Sequence, residues 1–302
     1  MNYLKLIRPL NLTIIVWVQC IIKYGFLSQL EVSTLLSDFT FLLLVVATVA
    51  IAAAGNVIND IQDVEIDKIN KPKKVIVGKS VSEKAAFGLY IFLTILGVGV
   101  GFYLANHIQF PGLAALFIII SALLYVYATQ LKSMLLVGNI LISILVSMSL
   151  IVIILFDIFP AIYIEPSLLQ IHSSTIILVY AVFAFYFNLV REIVKDIEDI
   201  NGDKNGGRST LPIVLGRNRT TNICFVLGVI GLLAVLSITY FKLYNYQTMA
   251  FYTVFMVGGP LLFFCIKAWD AEHGKDFKIM SIALKIVFVT GISSLLFIPE
   301  IL

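Results

Sequence analysis

Phe39-Thr-Phe-Leu-Leu-Leu-Val-Val-Ala-Thr-Val-Ala-Ile-Ala-Ala-Ala-Gly-Asn-Val-Ile58 carries no charge over 20 residues and passes directly into Asn59-Asp60-Ile-Gln-Asp63-Val-Glu65-Ile-Asp67. About 20 apolar residues are what an α-helix needs to cross a hydrocarbon core roughly 30 Å thick. Outward from this stretch, the chain holds eight more runs of similar length. The pattern predicts spans at 10–28, 39–58, 84–105, 110–128, 135–157, 174–194, 222–241, 248–267 and 281–299. Of the 302 residues, 60% are hydrophobic and only 13% charged, against about a quarter charged in a soluble domain. The expected fold is therefore all-α and integral to a membrane, with about nine transmembrane helices in a single membrane domain over 1–302. Cap loops are expected at about 59–83 and 195–221.

The first span has a basic start (Lys5, Arg8). No small-residue cleavage site follows it, and Pro9 and Asn11 stand where the core of a signal peptide would begin, so it is read as a helix that stays. Lys23 lies late in this span and is expected to snorkel to the interface. Cys20, Cys224 and Cys265 fall singly within spans and read as small apolar residues. His107, His172 and His273 are equally scattered, and no histidine metal centre is expected.

When the connecting segments are assigned alternately to two sides, 19 of the 21 Lys and Arg fall on one side, leaving only Lys23 and Lys242 on the other. The bias toward cytoplasmic Lys and Arg therefore places the N-terminus and the long charged loops in the cytoplasm, and with nine spans the C-terminus outside. The expected location is the plasma membrane. Thirteen of the 18 acidic residues share the basic side. A surface that merely attracts anionic lipid would be basic without them. Mixed charge of this density points to a metal together with a polyanion, and no nucleic-acid partner is expected.

The acids recur in a pattern. Asp60, Asp63 and Asp67 follow the second span at i, i+3 and i+7; Asp196, Asp199 and Asp203 follow the sixth at the same spacing. At 100° per residue each triplet falls within about 60° of arc on its helix. Asn56 and Glu192, four residues before each triplet, lie on the same stripes. The copies follow helices four apart, as an internal duplication with two facing half-sites would. Aligned carboxylates repel one another and lose solvation near lipid. Hard divalent cations relieve both costs, and Mg²⁺ characteristically shares such ligands with a phosphate-bearing substrate. A solvated acidic helix end accounts for one such run but not readily for two of identical spacing.

The segments after the motifs carry anion-binding residue types: Asn70-Lys71-Pro72-Lys73-Lys74 with Gly78-Lys79, and Asn205-Gly206-Gly207-Arg208-Ser209-Thr210-Leu211-Pro212. Glycine lets backbone approach phosphate, and Lys and Arg donate charge-assisted hydrogen bonds. Ser82 reads as the N-cap of the next helix. A third cluster, Tyr125-Val-Tyr127-Ala-Thr-Gln-Leu-Lys132, ends the fourth span on the same side, with Gly138-Asn139 opening the fifth. By itself it reads equally as an aromatic belt with a snorkelling lysine.

Over essentially its whole length the chain resembles the UbiA-type intramembrane prenyltransferases. Asn59, Asp60, Asp63 and Asp67 match the family's first motif, Asn-Asp-x-x-Asp-x-x-x-Asp, and Asp196, Asp199 and Asp203 match its second. Tyr127 and Lys132 match its Tyr-x-x-x-x-Lys pair, and Arg8-Pro9 its N-terminal Arg-Pro. Where many members have Arg-Pro-x-Arg-Pro, this chain has Lys71-Pro72-Lys73-Lys74-Val75, which keeps charge but loses the bidentate fork of arginine.

The resemblance implies a UbiA-type fold of nine helices around a central cavity. It also implies Mg²⁺ as cofactor, a prenyl diphosphate as donor, and a lipophilic or membrane-surface acceptor. Asn59, Asp60, Asp63, Asp67, Asp196, Asp199 and Asp203 would hold the metal. Arg8, Lys74, Lys132, Lys195 and Arg208 would bind diphosphate. Tyr127, with Lys132, would act at the departing allylic group, and Asp67 or Asp199 would take the acceptor's proton. Within the family, the stretch from Arg191 to Asp203 is most similar to digeranylgeranylglyceryl phosphate synthases, which implies geranylgeranyl transfer to geranylgeranylglyceryl phosphate. The alternative acceptor is an aromatic ring in quinone, haem or chlorophyll-type synthesis. A transporter, from a different class, would place its charges near the bilayer midplane on broken helices.

Overall fold

A computed structural model describes residues 2–300. Among them are nine helices long and apolar enough to cross a membrane. They are α1 (Pro9–Leu27), α2 (Asp38–Gln62), α3 (Glu83–His107), α4 (Pro111–Thr129), α5 (Val137–Ile164), α6 (Leu168–Asn205), α7 (Arg217–Lys242), α8 (Gln247–Trp269) and α9 (Gly274–Glu300). The only β-type pairing among the described residues is an isolated bridge between Val77 and Val81. The chain is a multi-pass, all-α membrane protein.

Several helices continue past the apolar runs that define them in the sequence, and they do so at the charged end. The second apolar run ends near 58, but α2 continues to Gln62; a short helix, Val64–Asn70, follows immediately. The two meet at Asp63, whose φ of −89° and ψ of 0° depart from helical values; Asp63 N–H donates to the Asn59 carbonyl and Asp67 N–H to that of Asp63. The sixth run ends near 194, but α6 continues to Asn205. Its 38 residues measure about 57 Å at 1.5 Å each, well beyond a hydrocarbon core. The expected cap loop 195–221 is thus helical over its first eleven residues, again from Leu211 to Leu215, and from Arg217 onward. Hydropathy marks where lipid ends. The α6 extension runs through Asp, Asn and Gly of low intrinsic helix propensity, and is held by burial of Ile197 and Asp203.

Contacts divide the chain into two compact units: Met1–Lys132 with Met148–Val179, and Ser133–Ser147 with Tyr180–Leu302. In the first, α2 packs against α3 and α4, and α3 and α4 approach closely where Gly101 offers no Cβ to collide with the buried Phe117 ring. Small residues at such crossings are how membrane helices gain packing without a hydrophobic driving force. The segment after the first motif is anchored rather than loose. Val77 and Val81 are buried with Leu6, Val57 and Ala86 in a small apolar core, and Ser82 caps α3 by accepting from Ala85 N–H at 3.2 Å.

Lys23 does not snorkel. It is 5% exposed and donates to Asp157 Oδ2 at 2.8 Å, Thr34 Oγ1 at 2.9 Å and the Leu36 carbonyl at 2.9 Å. Asp157, fully buried, also accepts from Leu36 N–H at 2.7 Å. A buried lysine is tolerated when its charge is paired and its donors are used.

The second unit has its core where α6, α7, α8 and α9 contribute Phe187, Ile193, Val194, Ile197, Val235, Phe264, Phe277, Met280, Leu284 and Val287. Cys224 and Cys265 are buried in it as free thiols, filling space as small apolar residues. Ile193, Val194 and Ile197 are buried there one position away from charged neighbours. That packing fixes the rotation of the α6 extension and so decides where its carboxylates point.

Candidate active site

Each acidic motif lies in one unit and has its own surroundings. In the first unit, Asp60, Asp63 and Asp67 stand at the end of α2 and on the helix that continues it. Arg8 makes an ion pair with Asp60, and Lys132, just past α4, makes one with Asp63. Lys132 Nζ also donates to Asn59 Oδ1 at 2.9 Å, and Asn59 Nδ2 donates to Asp63 Oδ2 at 3.0 Å. Asn59, Asp63 and Lys132 therefore form a closed triangle. Asp63 is only 5% exposed.

Arg8 is held in place by backbone geometry of a kind rarely used by a side-chain-bearing residue. It lies between the short helix Asn2–Leu6 and α1 with φ +53°, the left-handed region, which costs a non-glycine residue about 1–2 kcal/mol. Asn56 secures the segment by donating Nδ2 to the Ile7 carbonyl at 3.0 Å. Asn56, expected on the acidic stripe, thus serves the site from behind by presenting Arg8. Burial works against the Arg8 charge, but Asp60, with Asp63 and Asp67 beyond it, outweighs this and raises the guanidinium pKa. The carboxyl of Asp67 is pushed up, first by burial and then by the charge of Asp63, with Lys71 and Lys132 opposing.

In the second unit, Asp196 accepts from Asn139 Nδ2, at the start of α5, at 2.8 Å. Asp203, 3% exposed, accepts from Arg208 Nη1 at 2.8 Å. A local device delivers Arg208. The α6 helix ends with Gly207 at φ +70°, Arg208 N–H bonds the Asp203 carbonyl at 3.0 Å and Gly207 N–H that of Lys204 at 3.2 Å. This is the Schellman stop, which calls for glycine at its left-handed position. The Gly206-Gly207 pair expected to approach phosphate is first of all a helix stop, and it turns Arg208 back onto the last acid of the stripe. Asp199 lies on α6 between Asp196 and Asp203 and is partly buried.

Lys195 lies beside Asp196 at the second cluster, and Lys74 is remote from the ion pairs described above. Lys195 donates to Glu192 at 3.0 and 2.8 Å, and Lys74 is exposed on the segment after the first motif. Tyr127 is half-buried near the end of α4. Sequence reasoning noticed Asn139 without giving it a role, and it passed over the chain that positions it. Asn188 Nδ2 donates to Ser143 Oγ at 3.2 Å, and Ser143 Oγ donates to the Asn139 carbonyl at 2.6 Å. Polar residues recurring inside apolar spans, as Asn139, Ser143 and Asn188 do, were the available signal.

The donor set suits Mg²⁺. Asn59 Oδ1 and Asp63 Oδ2 already converge on one positive centre, the Lys132 ammonium, and the remaining donors are hard carboxylate oxygens. Among the described residues, no three His, Cys, Asp or Glu side chains form a ready-made cage. Magnesium does not need one, because it commonly takes one or two protein carboxylates and completes its shell from substrate phosphates and water.

A model of the UbiA prenyltransferase family matches residues 21–289. The chain belongs to this family. It is similar to the digeranylgeranylglyceryl phosphate synthase of Methanothermobacter thermautotrophicus, 36% identical over 218 residues, which span 71% of this chain and 66% of that relative, just under two thirds. The enzyme of the same name from Methanococcoides burtonii is 30% identical over 301 residues, covering 96% of this chain and 99% of the relative. A solved UbiA homolog from Archaeoglobus fulgidus, bound to GPP and Mg²⁺, aligns over 97% of this chain and 100% of its own with a TM-score of 0.56 at 16% identity. At that identity the likeness speaks for the fold: the chain has the UbiA-type fold that the resemblance implies, and its described residues include the nine membrane-length helices that the apolar pattern predicts.

Proposed function

We propose that the chain is an Mg²⁺-dependent prenyltransferase that moves a geranylgeranyl group from its diphosphate to the free hydroxyl of geranylgeranylglyceryl phosphate. The observation that carries this reading is the first cluster, where Asp60, Asp63 and Asp67 share one small region with Arg8, Lys132 and Asn59. Carboxylates interleaved with cations suit a metal–diphosphate complex, because neither sign alone would accept both ions. Family membership supports prenyl transfer, and the two named relatives support the acceptor.

Asp60, Asp63 and Asp67 in one cluster, and Asp196, Asp199 and Asp203 in the other, are the proposed metal ligands, with Asn59 as a neutral donor. When bound, Mg²⁺ would supply charge neutralisation to the departing diphosphate. Arg8, Lys132 and Arg208, which neutralise acids in the free protein, would turn their donors to diphosphate oxygens and stabilise the leaving charge as the allylic C–O bond breaks. The electron pair leaves with the diphosphate. The acceptor oxygen bonds the allylic carbon, and its proton passes to Asp67 or Asp199. Tyr127 can shield the allylic cation with its ring face. We place both clusters on the cytoplasmic side of the plasma membrane, with the C-terminus outside; the gathering of 19 of the 21 Lys and Arg on one side supports that orientation.

The test is product formation by purified protein in nanodiscs. The panel crosses prenyl diphosphates of several lengths with geranylgeranylglyceryl phosphate and with hydroxybenzoate-type aromatic acceptors, each with Mg²⁺ or EDTA. The expected result is a Mg²⁺-dependent diether phosphate. A prenylated ring instead would overturn the acceptor, and absence of any Mg²⁺-dependent product would overturn the reading itself.

A further inference from the structure

Arg191 and Lys195 on α6 and Lys285 on α9 form a cationic group in the second unit apart from Arg8, Lys132 and Arg208, although the family resemblance implies diphosphate binding for Lys195. On α6, positions 191 and 195 lie about 40° apart and are centred about 90° round the helix from the stripe of Glu192, Asp196, Asp199 and Asp203. The stripe reaches Asn139 of α5. The flank carries its two cations to the vicinity of Lys285, which feels the charge of both. Glu192, 8% exposed, ties the pair together, accepting from Arg191 Nη1 at 3.2 Å and from Lys195 Nζ at 3.0 and 2.8 Å. Arg191 Nε is buried and donates to no group among the described residues.

Three partly buried cations gathered at the edge of a membrane repel one another and lose hydration. Glu192 offsets part of that cost. A phosphomonoester, carrying about −1.5 to −2 charge at pH 7 and three strong acceptor oxygens, would add counter-charge beside Glu192 and give Arg191 Nε an acceptor. A diphosphate held by metal brings its own counter-charge and has less need of such a group.

We propose that Arg191, Lys195 and Lys285 bind the phosphate of the acceptor and so select a phosphorylated lipid over a neutral one. The inference rests on the proposed prenyl transfer for its choice of ligand but can be tested apart from it. Glu192 pre-orients the two α6 cations, and the adjoining acidic stripe lies on the same turns of helix. An acceptor gripped by its phosphate would therefore have its hydroxyl beside the metal-bearing face.

Binding is measured first, without Mg²⁺ and with EDTA. Thermal melts in phosphatidylcholine nanodiscs are recorded with geranylgeranylglyceryl phosphate, phosphate-free geranylgeranylglycerol, phosphatidylglycerol or inorganic phosphate. The phosphomonoester lipid alone should raise the melting temperature. Lys285→Gln and Arg191→Gln should abolish most of the shift, and Arg191→Lys, which keeps charge but not Nε, should restore part of it. An equal shift with phosphatidylglycerol would mark a general lipid-headgroup site, and one with inorganic phosphate a site with no lipid selectivity. Equal shifts in wild type and variants would mark a structural ion pair. Any of these overturns the proposal.

Kinetics supply the second readout. In Lys285→Gln the acceptor KM should rise by about tenfold to a hundredfold, as loss of one charge-assisted hydrogen bond implies, with the donor KM unchanged. A rise in donor KM instead would assign the group to the diphosphate. Wild-type protein that binds the phosphate lipid but transfers nothing would sink the enzyme reading while leaving this site standing.

Discussion

The two acidic clusters share one spacing but are neutralised in opposite ways. In the first, the counter-charges come from far along the chain: Arg8 lies 52 residues from Asp60 and Lys132 lies 69 from Asp63. In the second they are local. Arg208 is five residues from Asp203, and Arg191 and Lys195 are one and three from Glu192. Asp196 has a neutral partner in Asn139. The two motifs therefore share their spacing but not their support. The first cluster exists only when α1, α2 and α4 have assembled, whereas much of the second is carried by one helix and its C-terminal stop.

That contrast predicts equal losses of activity with unequal losses of stability. Asp63→Ala and Asp196→Ala should each reduce Mg²⁺-dependent turnover by roughly 10³-fold, the scale expected when a preorganised electrostatic group is removed. Asp63→Ala also strips the Lys132 ammonium, 22% exposed, of its carboxylate, and should destabilise by about 2–3 kcal/mol, somewhat below the cost of a fully buried orphan. Asp196→Ala loses one hydrogen bond to an amide and relieves repulsion from Glu192 and Asp203, so about 1 kcal/mol or less is expected. Turnover assays paired with thermal melts decide it. Equal destabilisation would remove the distinction, and near-normal turnover in either variant would remove that acid from the metal site.

The Asp203–Arg208 pair sharpens the point. Both side chains are nearly buried, 4% and 11% exposed, so Arg208→Gln should cost about 3 kcal/mol by leaving a buried carboxylate. The double variant Asp203→Asn/Arg208→Gln should regain most of that stability while staying inactive. If the single and double variants melt alike, the pair is not an energetic unit.

The span count, the two acidic stripes and the side on which charge accumulates were all legible in the sequence, because each is a periodic or compositional property of contiguous residues. Pairings across the chain were not. Lys23 looked like a snorkelling residue because its partner Asp157 is 134 positions away and hydropathy scores every residue alone. Asn56 sat on the acidic stripe by angle, yet its amide holds the Ile7 carbonyl; periodicity gives a direction but not what stands there. The helical extension of α6 to Asn205 was half legible: the stripe of Asp196, Asp199 and Asp203 requires helix through 203, while the cap loop drawn from about 195 stopped where hydrophobicity stopped and passed over the Asn205-Gly206-Gly207 helix-stop signal. The role of Arg208 follows from that signal once it is recognised.

Titration tests the place of Asp67 in the first cluster. Asp67 has its carboxyl pushed up by burial and by Asp63. A raised carboxylate pKa in the folded protein means that, between the unfolded and folded values, the native state holds more protons. Stability therefore falls as pH rises through that window. Metal binding has the opposite slope, since it needs the ionised form. Apparent Mg²⁺ affinity should weaken on acidification at a higher pH than an ordinary aspartate would produce, and Asp67→Asn should flatten that part of the profile at the cost of weaker binding. A profile unchanged in Asp67→Asn would take Asp67 out of the metal site.

The smallest effect should come from the helix stop. Gly207→Ala adds only a methyl group, and nothing stands within 4 Å of where its Cβ would lie, so the cost is conformational: about 1 kcal/mol for holding φ near +70°. Its consequence is more specific than its size. If the Gly207 turn is what brings Arg208 to Asp203, the alanine variant should raise the donor KM a few-fold while leaving Mg²⁺ affinity at the first cluster untouched. Gly207→Asn, which tolerates the left-handed region, should restore most of the loss. An alanine variant with lowered stability but unchanged donor KM would mean that Arg208 is held by the Asp203 carboxylate alone. The second cluster would then depend on side-chain pairing as much as the first does, and the contrast between long-range and local support would narrow to the distance along the chain.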